Sequence, residues 1–118
     1  MKENALLDKS KKFALRIIKL YKYLNENKRE HILSKQLLRS GTSIGANLKE
    51  AAFAQSRADF QAKLFIAQKE CAETEFWIEM MVGSHCIDNE TAEQLLQEYG
   101  IVRRMLSKSI ITAKNSNS

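Results

Sequence analysis

The chain has 118 residues and a formal net charge of +5 at neutral pH, with 44% apolar and 28% charged residues, the proportions of one ordinary globular domain that buries a core without disulfide staples. Proline is absent and glycine occurs only four times, where average usage would give about six prolines. Because proline is excluded most strongly from helix interiors, long helices joined by short loops are the leading class, and collagen-like, disulfide-rich and β-sandwich readings fall away.

The first twelve residues, MKENALLDKSKK, lack the uninterrupted apolar stretch of a signal peptide, so a cytoplasmic setting with reduced cysteines is expected. No apolar run exceeds four residues, so no membrane span is expected. A first helix is predicted over residues 4–25, with Asn4 as N-cap and Leu6, Phe13, Ile17, Leu20 and Leu24 on one apolar stripe. The charged stretch NENKRE at 25–30 is the expected first loop. A second helix over 31–54 places Leu33, Leu37, Ile44, Leu48 and Ala51 on one face. Ser56-Arg57-Ala58-Asp59 reads as a capping box with Asp in place of Glu, opening a third helix over 57–83. There Phe60, Leu64, Ala67, Cys71, Thr74, Ile78 and Met81 alternate spacings of four and three, the heptad pattern of bundle packing. Gly83 and Ser84 mark its stop, and Asp88 is the next N-cap. The fourth helix, over 88–113, aligns Ala92, Leu95, Tyr99, Val102, Leu106 and Ile110, and the polar tail at 114–118 is expected to fray. Residues 1–113 therefore read as one all-α domain, an antiparallel up-down-up-down four-helix bundle about 35 Å long.

The second helix carries more than a bundle needs. Gln36, Ser40, Ser43, Asn47 and Glu50 fall within an arc of about 80°, a polar stripe without lysine, beside small residues at Gly41, Gly45, Ala46, Ala51 and Ala52. Two glycines inside a helix cost about 1 kcal/mol each relative to alanine, so close approach of a second backbone is the expected compensation. The stripe is either a solvated face or a hydrogen-bonded seam between helices or subunits, with Gly41, Ser43, Gly45, Asn47 and Glu50 as its members.

The segment RSGTSIGANLKEA at 39–51, followed by Ser56-Arg57 and Asp59-Phe60 and continuing through Ala67 and Glu70, resembles the core signature of the bacterial 23S rRNA intervening-sequence proteins. The resemblance covers nearly the whole chain in helix order and length. It implies a small up-and-down bundle assembled as a ring-shaped homopentamer. It also implies kinship with the accessory protein of diversity-generating retroelements, a pentameric bundle whose basic surface serves a reverse transcriptase and its RNA. The family has no assigned catalytic residues, so none is carried over.

Charge is distributed unevenly. Residues 1–59 hold 13 Lys/Arg against 6 Asp/Glu, and residues 60–118 hold 6 against 8. Lys9, Lys12, Arg16 and Lys19 share an arc of about 80° on the first helix, and Lys11 and Lys22 widen the positive face. Such a row suits a phosphate backbone, with steep salt dependence and little base specificity. Lys9, Lys12, Arg16, Lys19 and Lys22 are therefore the candidate nucleic-acid contacts, and a structured RNA, either rRNA or an RNA–protein complex, is the candidate partner. Arg103 and Arg104 are possible extensions, and Tyr21 and Tyr23 are candidate stacking residues. The competing reading pairs the row with acidic residues of the third helix, Glu70, Glu73, Glu75 and Glu79. Exposed pairs of that kind are worth under about 1 kcal/mol and do not require such clustering. A membrane surface is disfavoured because the apolar stripe is committed to the core.

Enzyme and metal readings lack their residues. Di-iron bundles use Glu-x-x-His pairs, and neither His31 nor His85 has a Glu three positions before it. His85-Cys86 is adjacent rather than spaced for zinc, and Cys71 sits on the heptad face as a small core residue. No phosphate-binding loop or nucleophile elbow occurs, so no cofactor is expected. Two functions from different classes remain: a non-catalytic oligomeric RNA-binding adaptor, and a protein-interaction scaffold with no nucleic-acid role.

Overall fold

Local signals set where each helix starts and stops. In the computed structural model, which describes residues 4–115, the chain forms α1 (Ala5–Asn27), α2 (Leu33–Ala52), α3 (Arg57–Gly83) and α4 (Asn89–Asn115), with no strand among the described residues. Asn4 Oδ1 accepts the Leu7 N–H at 3.1 Å, Ser56 Oγ that of Asp59 at 3.1 Å, and Asp88 Oδ1 that of Thr91 at 2.7 Å. These are the three expected N-caps, each satisfying an orphan donor of a first turn. The reciprocal bond of the capping box shifts by one residue, since Asp59 Oδ2 accepts from the Gln55 N–H at 3.2 Å.

The start of α2 differs from the expected residue 31. Glu30 stays in the loop, where its carboxylate accepts the N–H groups of Ile32, Leu33 and Ser34 at 3.1, 2.9 and 2.7 Å. The side chain therefore caps the helix from outside it, and His31 and Ile32 precede the first turn. Burial works to raise the Glu30 pKa, but the donors from Leu33, Ser34 and Ile32 hold it below the ordinary carboxylate value. The end of α4 also differs. Lys114 and Asn115, expected in a fraying tail, are helical, and residues 116–118 lie outside the described residues. Gln61 Nε2 donates to the Ala113 carbonyl at 3.1 Å, and Lys114 Nζ lies 5.4 Å from the Phe65 ring centre, so α3 holds that last turn in place.

Each helix packs on its sequence neighbours and α4 closes onto α1, while the diagonal pairs α1–α3 and α2–α4 do not meet. Cross-helix partners run in opposite order along every pair: Ser10 with Gly45 and Ile17 with Gly41, Ser40 with Thr74 and Glu50 with Lys63, Gln61 with Ala113 and Cys71 with Tyr99, Phe13 with Tyr99 and Arg16 with Glu98. The bundle is thus antiparallel throughout. It measures 50 × 21 × 21 Å, longer than the expected length of about 35 Å; a 27-residue helix such as α3 or α4 spans about 40 Å of that.

The apolar stripes meet in one core that includes Phe13, Ile17, Leu24, Leu37, Ile44, Ile78, Met81, Leu95 and Leu106, all essentially excluded from solvent. The Phe13 and Tyr99 rings lie 6.1 Å apart, and the Tyr99 hydroxyl donates to the Cys71 carbonyl at 2.9 Å. Burial pushes the Cys71 thiol up to about 12, so it remains a neutral core group. Phe60 departs from its expected core role. It stands at the open end of the heptad face, with 36% of its surface exposed.

The glycines of α2 do what their position suggests. A Cβ at Gly41 would stand 3.0 Å from Ile17 Cγ1, and one at Gly45 would stand 3.2 Å from Ser10 Oγ. Missing side chains let α1 and α2 approach closely, which offsets the helix propensity lost there. The polar stripe divides. Ser40 is buried and its hydroxyl is hydrogen-bonded to that of Thr74 at 3.0 Å, a true seam between α2 and α3. Ser43 and Asn47 make no such bridge: Ser43 Oγ donates to the Arg39 carbonyl at 2.6 Å and Asn47 Nδ2 to the Ser43 carbonyl at 2.9 Å, both within their own helix. At this angle they are half-buried beside the seam rather than in it. Glu50 ion-pairs with Lys63 at 2.8 Å on the exposed edge of the α2–α3 contact.

Candidate nucleic-acid interface

α1 presents two unlike flanks. The flank toward α2 carries Ser10 and Ile17 against the glycines. The flank toward α4 carries Lys9, Lys12, Arg16, Lys19 and Tyr23. Among the four packed helix pairs, α1 and α4 touch least, which leaves a groove between them. Lys9 and Lys12 line a hollow of about 170 Å³ with Phe13, Glu98 and Ile101. Arg16 and Lys19 border a larger cleft of about 760 Å³ where α1 ends and α4 begins. Four of the five candidate contacts are thus brought into one row. Lys22 is not: it is exposed on the side away from α4, at the angle that Lys11 holds about three turns earlier.

The charges on that row are available. Among the described residues Lys9, Lys11, Lys12, Lys19 and Lys22 form no ion pair. Arg16 is the exception, since Nη1 meets Glu98 Oε2 at 3.2 Å and Nη2 donates to Gln94 Oε1 at 3.1 Å. The proposed internal pairing with α3 does not occur, because α1 and α3 are diagonal. Three of the four glutamates of α3 serve other groups. Arg39 of α2 binds Glu73 and lies 3.5 Å from Glu70, and Glu75 accepts the Tyr99 hydroxyl at 3.0 Å. The Arg39 hydrogen bond, aided by one from Trp77, holds the Glu73 carboxyl below its ordinary value.

Sequence periodicity alone does not place the remaining candidates. Arg103 borders a hollow with Cys71, Glu75 and Tyr99 on the α3 side of α4, so it does not extend the row. Arg104 borders the outer face of α4 with Ile101, the residue that also lines the Lys9–Lys12 hollow. Tyr21 is half-buried, whereas Tyr23 is 49% exposed and lines the cleft. Lys28, His85 and Asn89, contributed by loops and the start of α4, join the site although no spacing in the sequence singled them out. Among the described residues no group of three or more His, Cys, Asp or Glu side chains is placed to hold a metal ion, and no helix is long and apolar enough to cross a membrane.

The model of one protein family, the 23S rRNA-intervening sequence proteins, matches residues 2–108. The chain belongs to that family. A crystal structure of a protein of unknown function from the S23 ribosomal protein family of Bacteroides thetaiotaomicron is 47% identical, with a TM-score of 0.88 over 90% of this chain and 98% of that one. Among curated proteins none matches. In this member of the 23S rRNA-intervening sequence protein family the segment 39–51 is largely a packing device. Arg39 ties α2 to the carboxylates of α3, Gly41 and Gly45 admit α1, and Ile44, Leu48 and Ala51 enter the core. The segment supplies none of the cations of the α1–α4 groove.

Proposed function

We propose that this protein is a non-catalytic RNA-binding adaptor whose working surface is the basic flank of α1. The single observation behind this reading is the row of lysines at the α1–α4 groove, exposed and without ion-pair partners, while Glu70, Glu73 and Glu75 of the acidic helix are engaged by other groups. Concentrated unpaired charge repels itself and adds little to folding, so a polyanion is the partner that makes it favourable. An RNA held this way is gripped by its phosphates, with register set by the groove and little sequence discrimination. The test is RNA binding by fluorescence anisotropy for the wild type and for Lys12→Glu with Lys19→Glu. Reversing these two is cleaner than reversing Arg16, which would also set a carboxylate against Glu98. Affinity should fall by at least about tenfold while the circular dichroism spectrum stays unchanged. Equal affinity in the variant would overturn the reading.

A second observation favours assembly of several copies, with a scaffold role as the alternative function. The outer face of α3 carries Phe65, Ile66, Phe76 and Met80 within an arc of about 100°, each between 38% and 48% exposed. Two apolar faces on one helix are more than a solitary bundle needs. A homo-oligomer, a pentamer by family resemblance, would cover this stripe and repeat the basic row on every subunit. Phe76→Glu should reduce the mass measured by light scattering, and an unchanged mass would remove α3 from the interface.

A further inference from the structure

The cleft at the end of the basic row has features that phosphate gripping alone does not use. Its volume of about 760 Å³ lies within the range of small-molecule sites. Leu20 and Ile87, nearly buried, supply an apolar lining, and Tyr23 stands beside them with half its surface exposed. The Tyr23 hydroxyl makes no hydrogen bond among the described residues, which leaves it open to a ligand or solvent. Arg16, Lys19, Lys28 and His85 border the same cleft, and Asn89 and Thr91 add polar groups.

The one carboxylate there is already engaged. Asp88 caps α4 through the Thr91 N–H at 2.7 Å, and that bond, with smaller help from the nearby Lys28 charge, holds its pKa below the ordinary value. The loop between α3 and α4 shapes the opposite wall. α3 ends in a turn where the Cys86 N–H donates to the Met81 carbonyl at 2.9 Å and the His85 N–H to the Val82 carbonyl at 3.1 Å. His85 takes the left-handed position of that turn with φ of 63°, where glycine is the usual occupant. A residue with a full side chain is thus kept at a backbone position that disfavours it, at the border of the cleft.

Resting on the RNA-binding reading above, we propose that this cleft receives one unpaired nucleotide of the bound RNA. The base stacks on the Tyr23 ring against Leu20 and Ile87, and its phosphate is met by Lys19 and Lys28. Arg16 and Lys19 belong both to the basic row and to the cleft, so a backbone following α1 passes the cleft mouth and delivers a base into it. Aromatic stacking tolerates any base, so the gain is for single-stranded character and not for sequence.

The test uses the full chain and a fluorescein-labelled RNA hairpin, either blunt or carrying a short adenosine overhang, at one low salt concentration. The overhang should tighten binding about tenfold. Measured against each protein's own blunt-hairpin affinity, that gain should vanish in Tyr23→Ala and persist in Tyr23→Phe. Added phosphates alone would preserve the gain in Tyr23→Ala, and that result would overturn the proposal. Equal affinity for the two RNAs would overturn the cleft and leave the basic row standing, whereas no binding of either RNA would remove both. Adenosine monophosphate binding without any overhang gain would assign the cleft to a free nucleotide and likewise overturn the proposal.

Discussion

The two flanks of α1 are built on opposite principles. Toward α2 the contact is made by leaving side chains out, so that Gly41 and Gly45 admit Ile17 and Ser10 where a Cβ would crowd them. Toward α4 the contact is sparse, rimmed by lysines without partners, and opens into hollows. A helix that needed only stability would pack both sides alike. One side anchors the helix and the other is, on the proposed reading, the binding surface, so substitutions on the two flanks should separate folding from binding.

The largest effect on stability is expected on the tight flank. Gly41→Leu forces a side chain into Ile17 and should destabilise the protein by about 3 kcal/mol, whereas Lys12→Leu across the helix should change stability by under about 0.5 kcal/mol. Urea denaturation of both variants checks the contrast, and a Gly41→Leu protein as stable as the wild type would dissolve it. Next comes the α2–α3 seam. Ser40→Val and Thr74→Val should each cost about 1–2 kcal/mol, because each leaves a buried hydroxyl without its neighbour, and the double variant should cost less than their sum. Full additivity in that double-mutant cycle would mean that the 3.0 Å contact between the hydroxyls carries no coupling.

At the cleft the sign reverses. His85→Gly relieves a left-handed residue and should raise stability by about 1 kcal/mol. A loss of stability instead would show that the imidazole makes a contact that outweighs its backbone strain. The smallest effect concerns acid. Glu30 has a pKa depressed by its N–H donors, so its contribution is present above the ordinary carboxylate range and fades as pH falls through the lower folded-state value. Glu30→Gln should therefore flatten the acid limb of the stability profile below about pH 4.5. An unchanged acid limb would mean that the carboxylate charge does not matter to the cap.

Much of this was legible in the sequence because helix faces are periodic. The stripes of α1 and α4 and most of those of α2 and α3 are the core, and the N-caps at Asn4, Ser56 and Asp88 stand where their side chains allow. Glycine spacing correctly pointed to close approach at Gly41 and Gly45. Periodicity gives the angle of a residue on its own helix and says nothing of which helix lies beside it. Pairing of the lysines with α3 and bridging by Ser43 and Asn47 were therefore plausible in the sequence and are absent in the fold, while Glu98 as the partner of Arg16 was invisible. The buried serines at 10, 34 and 40 look like surface residues until their neighbours are known, since Ser10 and Ser34 bond to carbonyls within their own segment and Ser40 meets Thr74. The cleft is not legible in the sequence for a related reason: three separate segments build it, and only closure of α4 on α1 brings them together.

The most direct test of the open flank is the salt dependence of binding to a structured RNA. Counterion release from about four phosphates predicts that the logarithm of the association constant falls with the logarithm of salt at a slope of roughly −3 to −4. Lys12→Glu with Lys19→Glu should make that slope shallower. Binding that ignores salt, or no binding at low salt, would contradict the assignment of the α1–α4 groove to nucleic acid.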